Sequence, residues 1–346
     1  MRILLGFGHP ADVHFFKNVI WELKRKGHEV LIAARDKDVT LALLNAYGFS
    51  YWKVSKQGKG ILGLFWEYIE HEYALYQLVR RFQPDILTEV GGEFIAPLGR
   101  VVARPAVVFT DSEPVPTDKV LVHPFASVIC TPRCFRKNLG SKHVRYDGYQ
   151  ELAYLHPNYF APDHDVLQGL DLGLDEKFII LRFVAWKAFH DWRQKGLSLE
   201  MKRRIVKELE RYGRVFITSE AELPPEFEPY RVTLPPHKIH HLLYYASLFM
   251  GDGATMATEA GILGTPSVRS STLVGTMGNF DELMYKYELV YSIWDPEEAL
   301  QKAIALLRDE QAKLNWQDKR ARLLQDKIDV TEFVVDILEN YPRYID

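Results

Sequence analysis

Short apolar runs alternate with amphipathic stretches along the chain, and the alternation predicts a βα series with parallel strands. Residues 2–6 read as a strand. Phe15, Phe16, Val19, Ile20 and Leu23 then recur at helical spacing within a helix predicted over 14–26. Gly27 ends that helix, and residues 29–34 predict a second strand. Further strands are predicted at 86–90, 106–109, 127–130 and 144–146, with helices near 39–47, 63–81 and 94–103. Residues 154–175 lose the periodicity and carry His156-Pro157-Asn158 and Ala161-Pro162-Asp163, so they read as a linker. A second series follows, with strands at 178–183, 214–219 and 248–250, helices at 199–212 and 238–246, and a closing helix at 330–338. The expectation is an α/β protein with an N-terminal parallel-sheet domain over 1–160, a C-terminal one over 161–328, and a closing segment over 329–346 that can pack back on the first. Two such domains would face a cleft at the carboxyl ends of their strands.

The most informative stretch follows the predicted strand 248–250. Gly251-Asp252-Gly253-Ala254-Thr255-Met256 is a glycine turn opening a helix that stops near Gly264, with Pro266 beyond. Strand, glycine turn and helix N-terminus together bind phosphate, because the first-turn N–H groups and the helix dipole both favour an anion. Glu259 lies one to two turns inside that helix, where a carboxylate can accept hydrogen bonds from a ribose diol. The other reading of the turn is a tight strand-to-helix corner capped by Asp252.

Five other constellations carry candidate chemistry. Gly6-Phe7-Gly8-His9-Pro10-Ala11 has the form of a dinucleotide fingerprint, but Pro10 removes a backbone donor and the expected acid is displaced to Asp36. His9 and His14 follow the first strand where a general base belongs, and each serves equally well as a cap or a packed ring. Glu93, after Thr88-Glu89-Val90-Gly91-Gly92, and Asp111, in Thr110-Asp111-Ser112-Glu113, put carboxylates at strand ends; such acids move protons or cap helices. The segment from Arg182 to Trp192 gathers Arg182, Trp186, Lys187 and His190. Its two cations can neutralise a diphosphate in place of a metal, and Trp186 can stack on a sugar or base or pack a domain face. Leu234-Pro235-Pro236-His237-Lys238-Ile239-His240-His241 reads as a loop over a base; its three histidines have no carboxylate or further His at metal spacing.

Composition narrows the picture further. The chain has 346 residues, 47% hydrophobic, with a formal net charge of −3. That is enough apolar residue for two cores and gives no argument for nucleic-acid binding. Cys130 and Cys134 are the two cysteines, which suits reduced thiols in a reducing compartment. The opening strand lacks a signal-peptide pattern, and no run approaches about 20 apolar residues, so a cytoplasmic location is expected. Residues 60–69 are apolar and aromatic beside Lys53, Lys56 and Lys59. That segment either rests peripherally on a membrane or is a core-facing helix after a basic loop. A homo-oligomer stays open.

The string from Gly253 through Glu259-Ala260 to Leu263-Gly264-Thr265-Pro266 resembles the donor-binding segment of GT-B glycosyltransferases and of non-hydrolysing nucleotide-sugar 2-epimerases. With Arg145-Tyr146-Asp147-Gly148-Tyr149-Gln150-Glu151, Arg182-Phe183-Val184-Ala185-Trp186-Lys187-Ala188 and Leu243-Tyr244-Tyr245-Ala246, the chain is identified as a member of the DUF 354 family of that superfamily. The resemblance implies a GT-B-like fold of two Rossmann-like domains, the first on the acceptor side and the second binding a nucleotide sugar. It implies a metal-independent glycosyltransferase with a uridine diphosphate sugar as donor and no cofactor. The diphosphate would lie at Gly253 to Met256, with Asp252 beside them in the substrate site, the ribose at Glu259 and the base near the loop from Pro235 to Ile239, with Pro236 and His237. The acceptor hydroxyl would be deprotonated by His9, His14 or Asp111. The second reading is an epimerase using Glu93, Asp111 and His190. This chain departs from the epimerases in having Asp111-Ser112-Glu113-Pro114-Val115 where they carry Glu-Ala-Gly-Leu-Arg. A third reading is a non-catalytic nucleotide-sugar-binding protein.

Overall fold

The computed structural model describes residues 1–113, 115, 117–183, 197–219 and 222–344, with the Ile61 side chain left aside. The chain forms two compact units. One runs from Met1 to Tyr159 and takes in the chain from Ile328 onward; the other is Phe160–Lys327.

The first unit is built on seven parallel strands: β1 Arg2–Phe7, β2 Glu29–Asp36, β3 Trp52–Lys56, β4 Ile86–Val90, β5 Ala106–Phe109, β6 Val128–Pro132 and β7 His143–Tyr146. Their order across the sheet is β3-β2-β1-β4-β5-β6-β7. Ile3, Leu4, Leu5, Val107 and Val108 are fully buried, as strands covered on both faces require. Chain direction across the sheet reverses between β1 and β4, which pair from Ile3 with Ile86 to Gly6 with Glu89. The helix Pro10–Arg25 covers one face with Phe15, Phe16, Val19, Ile20 and Leu23. It starts four residues before the periodicity predicts, because His9 caps it and Pro10 suits its first position.

The helix Val330–Asn340 returns to this unit. Phe333 stacks on Tyr146 at 4.9 Å, and the Thr331 hydroxyl donates to the Ala153 carbonyl at 2.6 Å. Lys26 and His28 both reach the Glu339 carboxylate, at 2.6 and 2.7 Å.

The second unit has five parallel strands: β8 Phe178–Arg182, β9 Arg214–Thr218, β10 Leu248–Gly251, β11 Ser267–Ser270 and β12 Val290–Ile293. Their order is β12-β11-β10-β8-β9. Direction here reverses between β8 and β10, where Gly251 pairs with Arg182. In open α/β sheets the crevice outside the strand carboxyl ends at such a reversal is where ligands bind. The fold therefore marks one candidate place in each unit: the β1/β4 edge and the β8/β10 edge. β3, β11 and β12 are strands the hydrophobic pattern does not announce.

Candidate functional sites at two strand edges

At the β1/β4 edge, two carboxyl groups are buried. Asp12 stands in the first turn of the helix Pro10–Arg25, and its Oδ2 accepts from the backbone N–H of Gly8 at 2.9 Å and of His9 at 2.8 Å. Burial nevertheless pushes Asp12 up to about 7, because the desolvation of its charged form outweighs both bonds, and the charge of Glu93 adds to the rise. Glu89, the last residue but one of β4, pairs with Gly6 and accepts from the Ile95 N–H at 3.3 Å. Burial, then the charge of Glu93, holds its carboxyl well above the ordinary range. A Cβ on Gly6 would stand 3.2 Å from the Glu89 carboxyl, so the glycine leaves room for a protein side chain. The dinucleotide form of this segment thus has a local cause of its own.

Glu93 reaches this edge through a turn in which Gly91 and Gly92 take φ of +84° and +82°. At Gly92 a Cβ would also meet Val108 at 2.5 Å. Glu93 is exposed, and its charge raises Asp12, Glu89 and Asp118 together. His9 caps its helix through Nδ1, which accepts from the Ala11 N–H at 3.2 Å. His14 is turned inward, sharing a hydrogen bond of 3.2 Å with the Tyr47 hydroxyl and packing on Tyr154 at 5.5 Å.

Asp111 follows β5. Burial raises its carboxyl, the charge of Glu113 contributes, and the Ser112 hydroxyl opposes the rise by donating to it at 3.2 Å. Glu113 is itself buried and accepts from the Arg136 N–H at 2.7 Å. A cavity of about 520 Å³ opens here, lined by Thr110, Ser112, Glu113, Asp118, His123 and Lys137 among others. Asp118 on its wall is raised to about 6, by burial first and then by Glu93. Glu93 is thus the charge common to the β1/β4 edge and this cavity. Sequence reasoning singled out Glu93 and Asp111 but passed over Asp12 and Glu89. The signals were available: an acid three residues after a capping His, and a Glu inside an otherwise apolar strand.

At the β8/β10 edge, β10 leads through Asp252 to the helix Ala254–Ile262. Gly253 is its N-cap, with extended backbone (φ −77°, ψ 147°), and among the described residues no side-chain cap bond reaches the first turn. Gly253, Ala254 and Met256 are half-buried and Thr255 is exposed, so the first-turn amides sit at the surface of the unit. Asp252 does not cap the helix. Its charge instead favours the protonated forms of Lys202 and Arg269. Arg182 closes β8 and is half-buried. Trp186, Lys187 and His190 lie outside the described residues.

Glu259 is buried, and its Oε1 accepts from Nε2 of the equally buried His240 at 2.9 Å. The carboxylate expected at a ribose is therefore engaged inside the unit, in a pair 19 residues apart in sequence. Pro236 and His237 form a 3-10 turn, Pro236–Lys238, ahead of the helix Ile239–Tyr245. His241 Nδ1 accepts from the Asp163 N–H at 3.0 Å, and His240 is paired with Glu259. Among the described residues, Asp163, His164 and Asp165 alone cluster with atoms close enough to share a metal ion, on a largely exposed turn.

Two all-parallel α/β units, each with a strand-order reversal and polar side chains at its carboxyl edge, give this chain a GT-B-like fold. The family described as "Protein of unknown function (DUF354)" matches residues 2–342, and the chain belongs to it. An uncharacterized protein of Methanocaldococcus jannaschii, MJ0665, is 22% identical over 278 residues, covering 78% of this chain and 81% of that one. Among solved structures, a putative UDP-N-acetylglucosamine 2-epimerase from Listeria monocytogenes is similar with a TM-score of 0.70 at 12% identity, covering 100% of this chain and 97% of the other. The spinosyn rhamnosyltransferase SpnG is similar with a TM-score of 0.65 at 14% identity, covering 98% and 100%. MnaA of S. aureus, solved with UDP, gives 0.69 at 13% identity, covering 99% and 97%.

Proposed function

We propose that this protein is a metal-independent GT-B glycosyltransferase that takes a sugar from a nucleoside diphosphate sugar, with a uridine diphosphate sugar as the expected donor. The observation that carries the reading is the N-terminus of the helix Ala254–Ile262, capped by no side chain among the described residues, at the strand-order reversal of the second unit. The neighbours solved with thymidine diphosphate (SpnG) and with UDP (MnaA) support the ligand class. In this reading the diphosphate lies on the amides of Gly253 to Met256, and Arg182 and Lys187 offset its charge as it leaves. Pro236 and His237 border the base. Asp12 joins His9, His14 and Asp111 as a candidate base, since a carboxyl near 7 balances ionised fraction against basicity at neutral pH.

The test is a thermal-shift screen with the diphosphates of uridine, guanosine, cytidine, thymidine and adenosine and their sugars, with and without chelator. A ligand at about 100 times its Kd adds about 2.7 kcal/mol of apparent stability. A chelator-resistant shift with one diphosphate supports the reading; no shift with any of them refutes it. The epimerase reading is favoured by the buried carboxyls Asp12 and Glu89 beside Glu93, which suit proton removal and return. Conversion of the donor sugar without an acceptor would establish it in place of transfer. Binding with neither transfer nor conversion would leave a non-catalytic binder.

The reading extends to the acceptor side. The helix Gly60–Phe82 packs inward through His71, Leu75, Leu78 and Val79, and Glu67 is tied to Arg35 at 2.8 Å. Its outer face carries Leu62, Phe65, Trp66, Ile69, Tyr73 and Tyr76, all exposed, with Leu62 at 76% and Trp66 at 66%. Lys56 and Lys59 precede this face and Arg80 continues it, all three exposed. An apolar, aromatic stripe with cations at both ends fits an anionic lipid surface, as a helix lying in the interface. No helix among the described residues is long and apolar enough to cross a membrane. Co-sedimentation with phosphatidylglycerol-containing vesicles, lost in a Phe65→Ser/Trp66→Ser variant, checks this docking. Equal sedimentation of both proteins refutes it, and a dimer broken by the same changes would identify a second copy as the occupant.

A further inference from the structure

Arg269 is out of place by every rule of the sheet it belongs to. It stands on β11, a strand buried at all four positions, and only 3% of its surface is exposed. Two of its guanidinium nitrogens, Nε and Nη1, are buried without a hydrogen-bond partner, which no other arginine among the described residues shows. A buried charge with open donors is costly unless something completes it. Burial pulls Arg269 down to about 10, so the group keeps its proton at neutral pH.

The side chain's aim follows from the ladder. The Ser267 hydroxyl donates to the Ala257 carbonyl at 2.8 Å, so Ser267 faces the helix Ala254–Ile262. Arg269, two residues on, faces the same side about 6.6 Å nearer the carboxyl edge. The helix runs antiparallel to β11, and four residues back from Ala257 span about 6 Å. That places Arg269 level with Gly253, the N-cap. The influence of Asp252 on Arg269 independently sets the guanidinium within electrostatic reach of the same turn. The Phe280 ring lies 4.3 Å from the guanidinium carbon and walls one side. Ser292, in register with Arg269 on β12, also has a buried hydroxyl without a partner.

We propose that Arg269 is the buried cation of an anion site completed by the first-turn amides of the helix Ala254–Ile262, with the Ser292 hydroxyl beside it, and that its ligand is a diphosphate group. The inference rests on the donor-site reading and adds to it the charge that selects a diphosphate over a neutral nucleoside. A guanidinium donates charge-assisted hydrogen bonds to phosphate oxygens, and the two open nitrogens, Nε and Nη1, each leave a donor for one. Asp252 opposes anion binding by its sign; Lys202, on which Asp252 also acts, shares in balancing it.

The test uses the full chain and the variants Arg269→Met and Arg269→Lys. Calorimetric titrations use inorganic pyrophosphate, the nucleoside diphosphate chosen by the thermal-shift screen, and the corresponding nucleoside. Wild type should bind the diphosphate at least tenfold tighter than the nucleoside. Arg269→Met should lose more than tenfold in affinity for the diphosphate and for pyrophosphate, with nucleoside affinity unchanged and the Arg269→Lys variant in between. The ligand-free Arg269→Met protein should melt at or above the wild-type temperature, because an incomplete buried charge is gone; an arginine kept for packing would lower it. Undiminished diphosphate binding by Arg269→Met overturns the role of Arg269 and leaves the donor-site reading standing. Failure of wild type to bind any nucleoside diphosphate overturns both.

Discussion

Asp12→Asn separates a proton-carrying carboxyl from a merely structural one. Both backbone N–H groups that Asp12 receives end on a single oxygen, Oδ2, so the carbonyl of an asparagine can accept both. The substitution removes the charge and keeps the cap. The sign follows from the shift: the folded value of about 7 lies above the ordinary 3.8, so the folded state binds more protons between these limits. The neutral carboxyl's contribution is fully present below about pH 4 and is lost as pH rises through 7. Integrated from pH 5 to pH 8, a shift from 3.8 to about 7 amounts to about 2.6 kcal/mol, at about 1.36 kcal/mol per unit. Urea unfolding of both proteins at pH 5 and pH 8 gives the double difference, in which groups that do not feel Asp12 cancel; Glu89, which the Asp12 charge also raises, adds to it in the same direction. The variant should gain about 2–3 kcal/mol on wild type between the two pH values. A double difference below about 0.5 kcal/mol, within the usual scatter for an unrelated surface change, would refute the elevated carboxyl.

Three further outcomes are expected. Gly92→Ala places a side chain at φ +82° and 2.5 Å from Val108, so it should destabilise by about 3 kcal/mol or more and blunt the turn that presents Glu93; denaturant unfolding reads the loss. Glu259→Ala breaks a buried pair and should cost about 3 kcal/mol, whereas Glu259→Gln keeps an acceptor for His240 and should cost clearly less. Nucleotide binding by the Gln variant then reports on the ribose role without an unfolded protein in the background. Burial raises the Cys130 thiol well above its usual range while Cys134 is half-buried, so a thiol reagent should label one cysteine in the native protein and two in urea.

The elements legible in the sequence are those whose stability is local or apolar. β1, β4, β5 and β10 are short apolar runs, and the helix Pro10–Arg25 repeats its apolar face at 3.6 residues. β11 reads Ser-Val-Arg-Ser and escapes that pattern, because its polar side chains find partners or sites only in the folded unit, such as Ser267 on Ala257. β3 is an edge strand on which Trp52, Lys53 and Lys56 face water. The glycine turn was readable for the same local reason: its chemistry resides in its own backbone. Where Glu259 points was not, since helical spacing gives the face and not the partner, and His240 comes from another element. Asp12 and Glu89 meet only because Gly6 and Glu89 fall in register on strands some 80 residues apart, which no local pattern encodes.

Asp12 and Arg269 share one feature that decides how they should be read. Each is a buried ionisable group, one in each unit, that the surrounding fold leaves in an unfavourable state: a carboxyl lifted to about 7 and a guanidinium with two open donors. Groups retained only for stability would be neutralised or fully hydrogen-bonded. Strain of this kind is expected where stability is traded for chemistry. The two residues lie in separate cores, so their effects should add within about 0.5 kcal/mol. The double variant Asp12→Asn/Arg269→Met should therefore unfold at a higher urea concentration than wild type at pH 8 while losing turnover of the donor sugar. Turnover preserved in that protein would show that neither charge serves the reaction. A double variant less stable than wild type would show that at least one of the two groups is held for the fold; where the single variants show it of both, the search for the base and for the diphosphate cation moves to Asp111 and Arg182.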